Sequence, residues 1–494
     1  MLMPKPEADI LAQRQGLIAD LRQIVSGEGV IADEIALRVY ESDGLSAYRQ
    51  TPMAVVLPET VAQISDIMRL CDQRGVKIVP RGAGTSLSGG ALPLEDGIIL
   101  GLGKFNRILE IDYENRAVRV QPGVTNLGIS QAVDAEGFYY APDPSSQIAC
   151  SIGGNVAENA GGVHCLKYGV TTNNLLGLEM VLLSGEVIRL GGKHLDSGGY
   201  DLMGLLTGSE GLLGVITEIT VRILKKPETA RALLIGFPSS EAAGACVGQV
   251  IGSGIIPGGM EMMDKAAIHA SEEFCHAGYP LEAEALLIVE LDGPGREVDH
   301  LIEKVGAIAE GCGSTSLRIS ETEAERDAFW AGRKAAFPAI GRISPDYMCM
   351  DGTIPRNRLP EVLARMGELS KKHGLAVANV FHAGDGNLHP LILFDANAGE
   401  LETAEEFGAD ILRLCVEVGG VLTGEHGIGV EKRDLMAEVF TEQDLAQQQR
   451  IKCAFDPNGR LNPGKVFPVL HRCAELGQLV VHKGKIPFPE IPRF

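Results

Sequence analysis

The segment Phe381-His-Ala-Gly-Asp-Gly-Asn-Leu-His-Pro390 sets two histidines around an Asp385-Gly386 pair. Asp-Gly between two apolar runs, here Leu375 to Val380 and Leu391 to Phe394, is a strong two-residue hairpin signal. Counting outward from such a turn pairs Gly384 with Asn387, Ala383 with Leu388 and His382 with His389. The two imidazoles then share a face about 5 Å apart, and Asn387 points the same way. That spacing suits a divalent metal, the alternative being two hydrogen-bonded core histidines. Glu425-His426 sits in the glycine-bounded loop Gly424-Glu-His-Gly-Ile-Gly429. Glu425 would complete a two-His, one-carboxylate site for zinc, manganese or iron, and His426 would be a base; a plain surface Glu-His pair is the alternative. Arg333 stands one helical turn from Trp330, the sole tryptophan. A guanidinium backed by an apolar ring suits a carboxylate clamp, and equally a surface salt bridge.

A second chemistry lies in the glycines, 61 of 494 residues, about 12% against roughly 7% in average proteins. Pro80-Arg-Gly-Ala-Gly-Thr-Ser-Leu-Ser-Gly-Gly-Ala91 follows a strand signal, and its glycines and hydroxyls (Thr85, Ser86, Ser88) suit a diphosphate. It is not a Rossmann fingerprint, because Leu87 stands where the third glycine would be and no helix opens from it. Two further loops, Pro142-Asp-Pro-Ser-Ser146 with Ser151-Ile-Gly-Gly-Asn-Val-Ala-Glu-Asn-Ala-Gly-Gly162, and Thr207-Gly-Ser-Glu-Gly-Leu-Leu-Gly-Val-Ile216, would line one elongated cofactor with it. Gly459 to Lys465 has Walker A spacing, but Val466 replaces the magnesium-binding hydroxyl and Phe467-Pro468 stops a helix, so an ATPase is excluded.

The elements that must position these groups follow from apolar periodicity. Residues 10 to 40 read as helical, with Leu17, Leu21 and Ile24 in phase and Gly27 and Gly29 as a stop. Met53 to Leu57, a helix capped at Thr60 and running to Arg74, and Val76 to Val79 form a β-α-β start. Ile108 to Ile111, Ala117 to Val120, Leu178 to Leu190 and Gly214 to Leu224 continue as strands, up to a boundary at Lys225-Lys226-Pro227. Beyond it, strands Ala232 to Phe237 and Ala285 to Leu291 alternate with helices Ser240 to Ser253 and Val298 to Gly311. That order predicts a ferredoxin-like α+β sheet with helices on one face. A helix with capping boxes at Ser320 and Thr322 should carry Trp330 and Arg333 and end at Pro338. The expected organisation is an N-terminal helical segment (1–50), a cofactor domain (51–226), a substrate or cap domain (227–437) and a proline-studded segment (438–494) returning to the cofactor domain.

Lys and Arg total 44 against 65 Asp and Glu, a net charge of −21, which argues against nucleic-acid or anionic-membrane binding. The ten cysteines include no C-x-x-C pair, so reduced buried thiols are expected rather than a zinc ribbon or an iron–sulfur cluster. With no 18-residue uncharged apolar run and no signal-peptide pattern, a cytoplasmic protein without a transmembrane segment is expected.

Arg81-Gly-x-Gly-Thr-Ser-Leu-Ser-Gly-Gly90, Asp143-Pro-Ser-Ser146 and Ile152-Gly-Gly-Asn155 with Asn159-Ala-Gly-Gly162 resemble the FAD-binding domain of the vanillyl-alcohol-oxidase (p-cresol-methylhydroxylase) type. The resemblance implies an extended FAD held by Pro80, Arg81, Gly82, Ala83, Gly84, Thr85, Ser86, Ser88 and Gly89 in the first loop. It adds Pro142, Asp143, Ser146, Ser151, Gly153, Gly154, Asn159, Gly161, Gly162 and Tyr168 in the second, Glu210, Gly211, Val215 and Ile216 in the third, and Asn462. Some relatives tether the flavin through a histidine in the first loop; Ser88, Gly89 and Gly90 stand there, so the FAD is expected to be non-covalent.

His382 to His389, Gly424 to Gly429 and Asp456-Pro-x-x-x-x-Asn-Pro-Gly-Lys465 further resemble the D-2-hydroxyacid dehydrogenase branch, and Trp330 to Pro338 with Ser344 to Pro355 the flavin-bearing subunits of bacterial glycolate oxidases. The implied roles are His382, His389 and Glu425 as ligands of one divalent metal, His426 as general base, Arg333 as substrate-carboxylate site and Asn387 as substrate contact. The implied reaction is oxidation of a short 2-hydroxy acid, glycolate to glyoxylate, with hydride passing from Cα to flavin N5. The implied partners are companion subunits, one bearing iron–sulfur, and through them a peripheral place on the inner membrane. Phe337 and the Cys349-Met350 region stand where some relatives place Thr and Lys for a second carboxylate, which disfavours a dicarboxylate substrate. The other readings are a D-lactate dehydrogenase of the same branch, a non-catalytic flavin electron-transfer subunit, and an NAD-dependent Rossmann dehydrogenase, which the loop spacing excludes.

Overall fold

The structure is a computed structural model that describes residues 3–194 and 198–468. Thr60 caps the helix Val61–Arg74 through a reciprocal box with Gln63, and the helix stops at Gly75, whose φ of 72° favours glycine. The chain then enters the strand Lys77–Arg81, parallel to Gly97–Gly101, which is itself parallel to Ala54–Val56. The glycine loop after Arg81 therefore starts at the carboxyl end of a parallel strand, where open sheets place their ligands.

The N-terminal helical segment breaks at Gly27, as its glycines predict. Helix Ala8–Leu11 is divided from Arg14–Ile24 by Ala12-Gln13, and Arg14–Ile24 from Glu34–Leu37 by Gly27, at φ 69°, and by Val30–Ile31, which pairs with Val56 and Val55 as an edge strand. Leu17 and Leu21 pack with Ile64 and Ile67 in the core beneath this four-stranded sheet. A second, antiparallel sheet has the order Ile108–Asp112, Ala117–Val120, Val215–Arg222, Leu175–Val181, Val187–Gly191.

From Thr229 the chain builds a seven-stranded antiparallel sheet. Thr229–Phe237 and Ala285–Gly293 lie side by side within it, flanked by Ser316–Ile319 and Gly259–Asp264, and Val377–Phe381, Pro390–Phe394 and Asp346–Cys349 complete it. The expectation of helices on one face is corrected: they cover both. Leu233, Ile235, Leu287 and Val289 face the helices Ser240–Gly252 and Gly295–Gly311, while Ala232, Leu234, Leu286 and Ile288 face Lys265–Cys275 and Glu323–Ile340. Ala232-Leu-Leu-Ile235 is continuously apolar rather than alternating, which is what burial of both faces requires. The helix Glu323–Ile340 also runs two residues past Pro338 instead of ending there.

After the helix Glu442–Phe455 the chain returns to the first sheet. The Ile78 amide donates to Arg460 O and the Asn462 amide to Ile78 O, both at 2.8 Å. The Pro487 to Phe494 tail and Cys473 lie outside the described residues, whose cysteines are all free. Among the described residues no helix is long and apolar enough to cross a membrane.

Candidate functional site

The histidine hairpin forms in a different register from the one counted above. Ala378 opposes Leu391, Asn379 opposes Pro390, and His382 opposes Asn387 across a four-residue turn. The turn is drawn out by its neighbours: the Gly384 amide donates to Met260 O at 3.0 Å and the Leu388 amide to Gly352 O at 2.9 Å. A slip of two positions preserves the face on which each side chain lies. His382 and His389 consequently still meet, with ring centroids 5.0 Å apart.

His382 Nε2 is 3.3 Å and His389 Nε2 3.2 Å from the same Glu425 Oε1. On its other side, His382 Nδ1 lies 2.6 Å from Glu261 Oε1, a carboxylate that sets ring orientation as an outer partner of a metal ligand does. His389 Nε2 and Glu425 Oε2 are buried without a well-formed hydrogen bond. Two imidazole nitrogens and a carboxylate converging with unspent lone pairs fit a divalent cation. Burial alone would raise the Glu425 pKa, but His382 and His389 beside it hold it well below the carboxylate range.

The loop carrying Glu425 and His426 hangs on Asp351, which the sequence reading did not single out. Its fully buried carboxylate accepts the amides of Gly424 at 3.1 Å, Glu425 at 3.2 Å and His426 at 2.8 Å, and pairs with Lys432 Nζ at 3.2 Å. No local signal marks Asp351, because its partners lie more than 70 residues downstream. His426 stacks on His389, centroids 4.9 Å apart and planes 9° off parallel. Burial, with His389 and Lys432 and against the pull of Asp351, pushes its pKa down to about 4. The ring is therefore neutral near pH 7, the state a proton acceptor needs.

Arg333 is only 2% exposed; its Nε donates to Glu261 Oε2 at 2.8 Å, and Nη2 is equally close to that oxygen. Glu261 thus joins Arg333 to His382. Thr353 Oγ1, Asn387 Oδ1 and His426 Nδ1 are buried with no hydrogen-bond partner, and Arg333 Nη2 has its ion pair with Glu261 alone. Trp330 does not back the guanidinium as an open clamp: its Nε1 donates to Glu290 Oε2 at 2.6 Å.

His389, Glu425 and His426 form one wall of a cavity of about 390 Å³. Pro80, Arg81, Gly82, Ala83, Gly84, Thr85, Ser86, Ser146, Ser151, Gly153, Gly154, Glu210, Gly211 and Ile216 line the rest, so the three glycine loops do meet. Lys334, Phe337 and Pro338, one face of the Arg333 helix, also reach it, as do Cys150, Asn155 and Glu158, which the sequence reading passed over although they lie within or beside its loops.

Ten expected cofactor positions are not on the wall. Ser88 Oγ donates to His426 O at 2.9 Å, Gly89 backs onto Val430, and Pro142 O accepts from Asn126 at 3.0 Å. Asp143 binds His164 Nδ1 at 2.8 Å, Tyr168 bonds Asp292, and Asn159 caps the helix Ile152–Glu158 in the left-handed region. Gly161 abuts Glu425, Gly162 abuts Asp143 O, and Val215 is core. Asn462 Nδ2 ties Gly90 O at 2.9 Å to Glu210 O at 2.7 Å. These residues shape the loops from behind, a role that motif reading does not separate from direct contact.

Residues 52–191 match the FAD binding domain and residues 226–466 the C-terminal domain of FAD linked oxidases. The chain is 57% identical to glycolate oxidase subunit GlcD of Escherichia coli, covering 97% of each, and 35% identical to D-lactate dehydrogenase of Archaeoglobus fulgidus, covering 91% of this chain and 98% of that one. It superposes on p-cresol methylhydroxylase with a TM-score of 0.79 at 18% identity, over 94% of this chain and 99% of that one. A fold of that type, two matching domain families and full-length identity together establish that the chain belongs to the FAD-linked oxidases, in the group that includes the glycolate oxidase GlcD subunits.

Proposed function

We propose that this chain oxidises glycolate to glyoxylate with non-covalent FAD and passes the electrons to companion subunits, one of them iron–sulfur-bearing, at the inner membrane. The observation that carries the reading is the meeting of His389, Glu425 and His426 with the three glycine loops around one cavity. The substrate assignment is supported by 57% identity to a glycolate oxidase subunit against 35% to a D-lactate dehydrogenase. When bound, FAD supplies the hydride acceptor, and a divalent cation on His382, His389 and Glu425 supplies Lewis-acid polarisation of the α-hydroxyl.

The chain's own groups do the rest. His426, neutral and held by Asp351, takes the hydroxyl proton. Arg333, whose Nη2 is ion-paired with Glu261, supplies positive charge for the carboxylate, and Asn387 offers its unpartnered Oδ1 as an acceptor to a substrate hydroxyl. Lys334 and Arg81 at the cavity wall add local positive charge for an anionic substrate in a chain of net charge −21.

Anaerobic mixing with glycolate and with D-lactate, following flavin bleaching, tests the reading, with metal analysis of the same sample. Faster reduction by D-lactate would replace the substrate, and no bleaching by either would remove the hydroxy-acid assignment.

A further inference from the structure

One acid in the cavity wall plays no part in the chemistry above. Glu158 ends the helix Ile152–Glu158 and lines the cavity, and its Oε2 is buried without a hydrogen-bond partner. A Cβ on Gly427 would lie 2.1 Å from Glu158 Oε2 and 2.9 Å from Glu210 Oε1. The two carboxyl groups are therefore within about 5 Å of one another, a separation at which both cannot ionise without donors or a cation for each.

The donors go to one side. Glu210 accepts the amides of Ile428 and Gly429, both at 2.7 Å, and these favour its charged form. The nearby cations are committed elsewhere: Lys432 to Asp351 and to Gly427 O, both at 3.2 Å, and Lys465 to Leu92 O at 2.7 Å and to Asn462. Burial pushes the Lys465 pKa down to about 7, ahead of the opposing pull of Asp43, Glu210 and Glu158. Of the other acids in this neighbourhood, Asp43 accepts the amides of Leu45 and Ala91, and Glu431 lies 3.8 Å from Lys432 Nζ with both carboxyl oxygens otherwise unpartnered.

We propose that Glu158 is held as a neutral carboxylic acid and is the hydrogen-bond donor that this wall presents to the flavin. Burial, then the charges of Glu210 and Asp43, raise its pKa well above the ordinary glutamate value, in keeping with that arrangement. The flavin contact rests on the reading that FAD occupies this cavity, whereas the neutral state does not.

Infrared spectra of the full-length protein, stripped of FAD and then reloaded, separate the two. At pH 7, where an ordinary glutamate with a pKa of about 4.3 is ionised, the stripped wild type should show a protonated-carboxyl carbonyl band that shifts in heavy water. The band should be missing from Glu158→Gln and should move to lower frequency when FAD is added. Glu158→Gln, which keeps a donor, should retain FAD as the wild type does, and Glu158→Leu should retain it about fivefold to tenfold less tightly. Identical carbonyl spectra for wild type and Glu158→Gln would overturn the neutral acid. A band that ignores FAD, or unchanged FAD affinity in Glu158→Leu, would overturn the flavin contact.

Discussion

The backbone amide of His426 donates to the side chain of Asp351 at 2.8 Å, and the two residues are 75 positions apart in the chain. The same carboxylate holds the amides of Gly424 and Glu425, so one buried charge sets where the proposed base and the proposed metal-binding carboxylate stand.

Asp351 balances Lys432, and both are fully buried. Asp351→Asn leaves that ammonium with only the more distant carboxylate of Glu431, at 3.8 Å, and should destabilise the protein by about 3 kcal/mol. Lys432→Met in the same background should recover part of the loss. Urea titrations of the wild type, both single variants and the double variant measure the coupling; additive losses would show that the pair is not a unit.

His426→Ala should slow flavin reduction by glycolate about 10²- to 10⁴-fold while FAD remains bound. Because the His426 pKa is pushed down to about 4, the ring stays neutral as pH falls from 8 to 6. The wild-type reduction rate should accordingly show no loss at the ordinary imidazole pKa of about 6.5. Anaerobic stopped-flow measurement across pH checks both statements, and normal single-turnover reduction in the variant would remove His426 as the base.

His382→Ala, His389→Ala and Glu425→Gln should each lose the divalent metal and keep the flavin. Elemental analysis beside the visible flavin spectrum reads the two separately. Metal retained in all three variants would place it elsewhere.

Gly84 has φ 73°, and a side chain there would run into the Arg81 guanidinium. Gly154, by contrast, would meet only Ser151 Oγ, at 3.3 Å, so a side chain there points into open cavity. Gly84→Val should lower both stability and FAD content, whereas Gly154→Val should lower FAD content with the melting temperature of the stripped protein kept. Full FAD occupancy in both would show that these glycines only make turns.

His164 bridges the second glycine loop to the large sheet, with Nδ1 2.8 Å from Asp143 and Nε2 3.1 Å from Glu290. Burial would lower its pKa, but the two carboxylates outweigh burial and raise it well above the usual value. The folded state thus binds the proton more tightly than the unfolded state, whose pKa is about 6.5. The stabilisation is complete below that pH and is lost as pH rises through the raised folded value. Melting temperatures of wild type and His164→Gln should differ by several degrees at pH 6 and converge as the medium becomes alkaline; a constant gap would show a packing effect alone.

Sequence alone determined what depends on residue type and local period. The three glycine loops, the two histidines with Glu425 and His426, and the capped helix at Thr60 were legible because each is a short-range pattern. Even the wrong hairpin register left His382 and His389 on one face, since strand side chains repeat every two residues. The four-residue turn, the helices on both faces of the large sheet, Asp351 beneath the Glu425 loop, Glu261 between Arg333 and His382, and Glu158 against Glu210 were decided by tertiary structure only. Each depends on groups distant in sequence, and a buried charge selects its partner by what packing leaves within reach once water is gone.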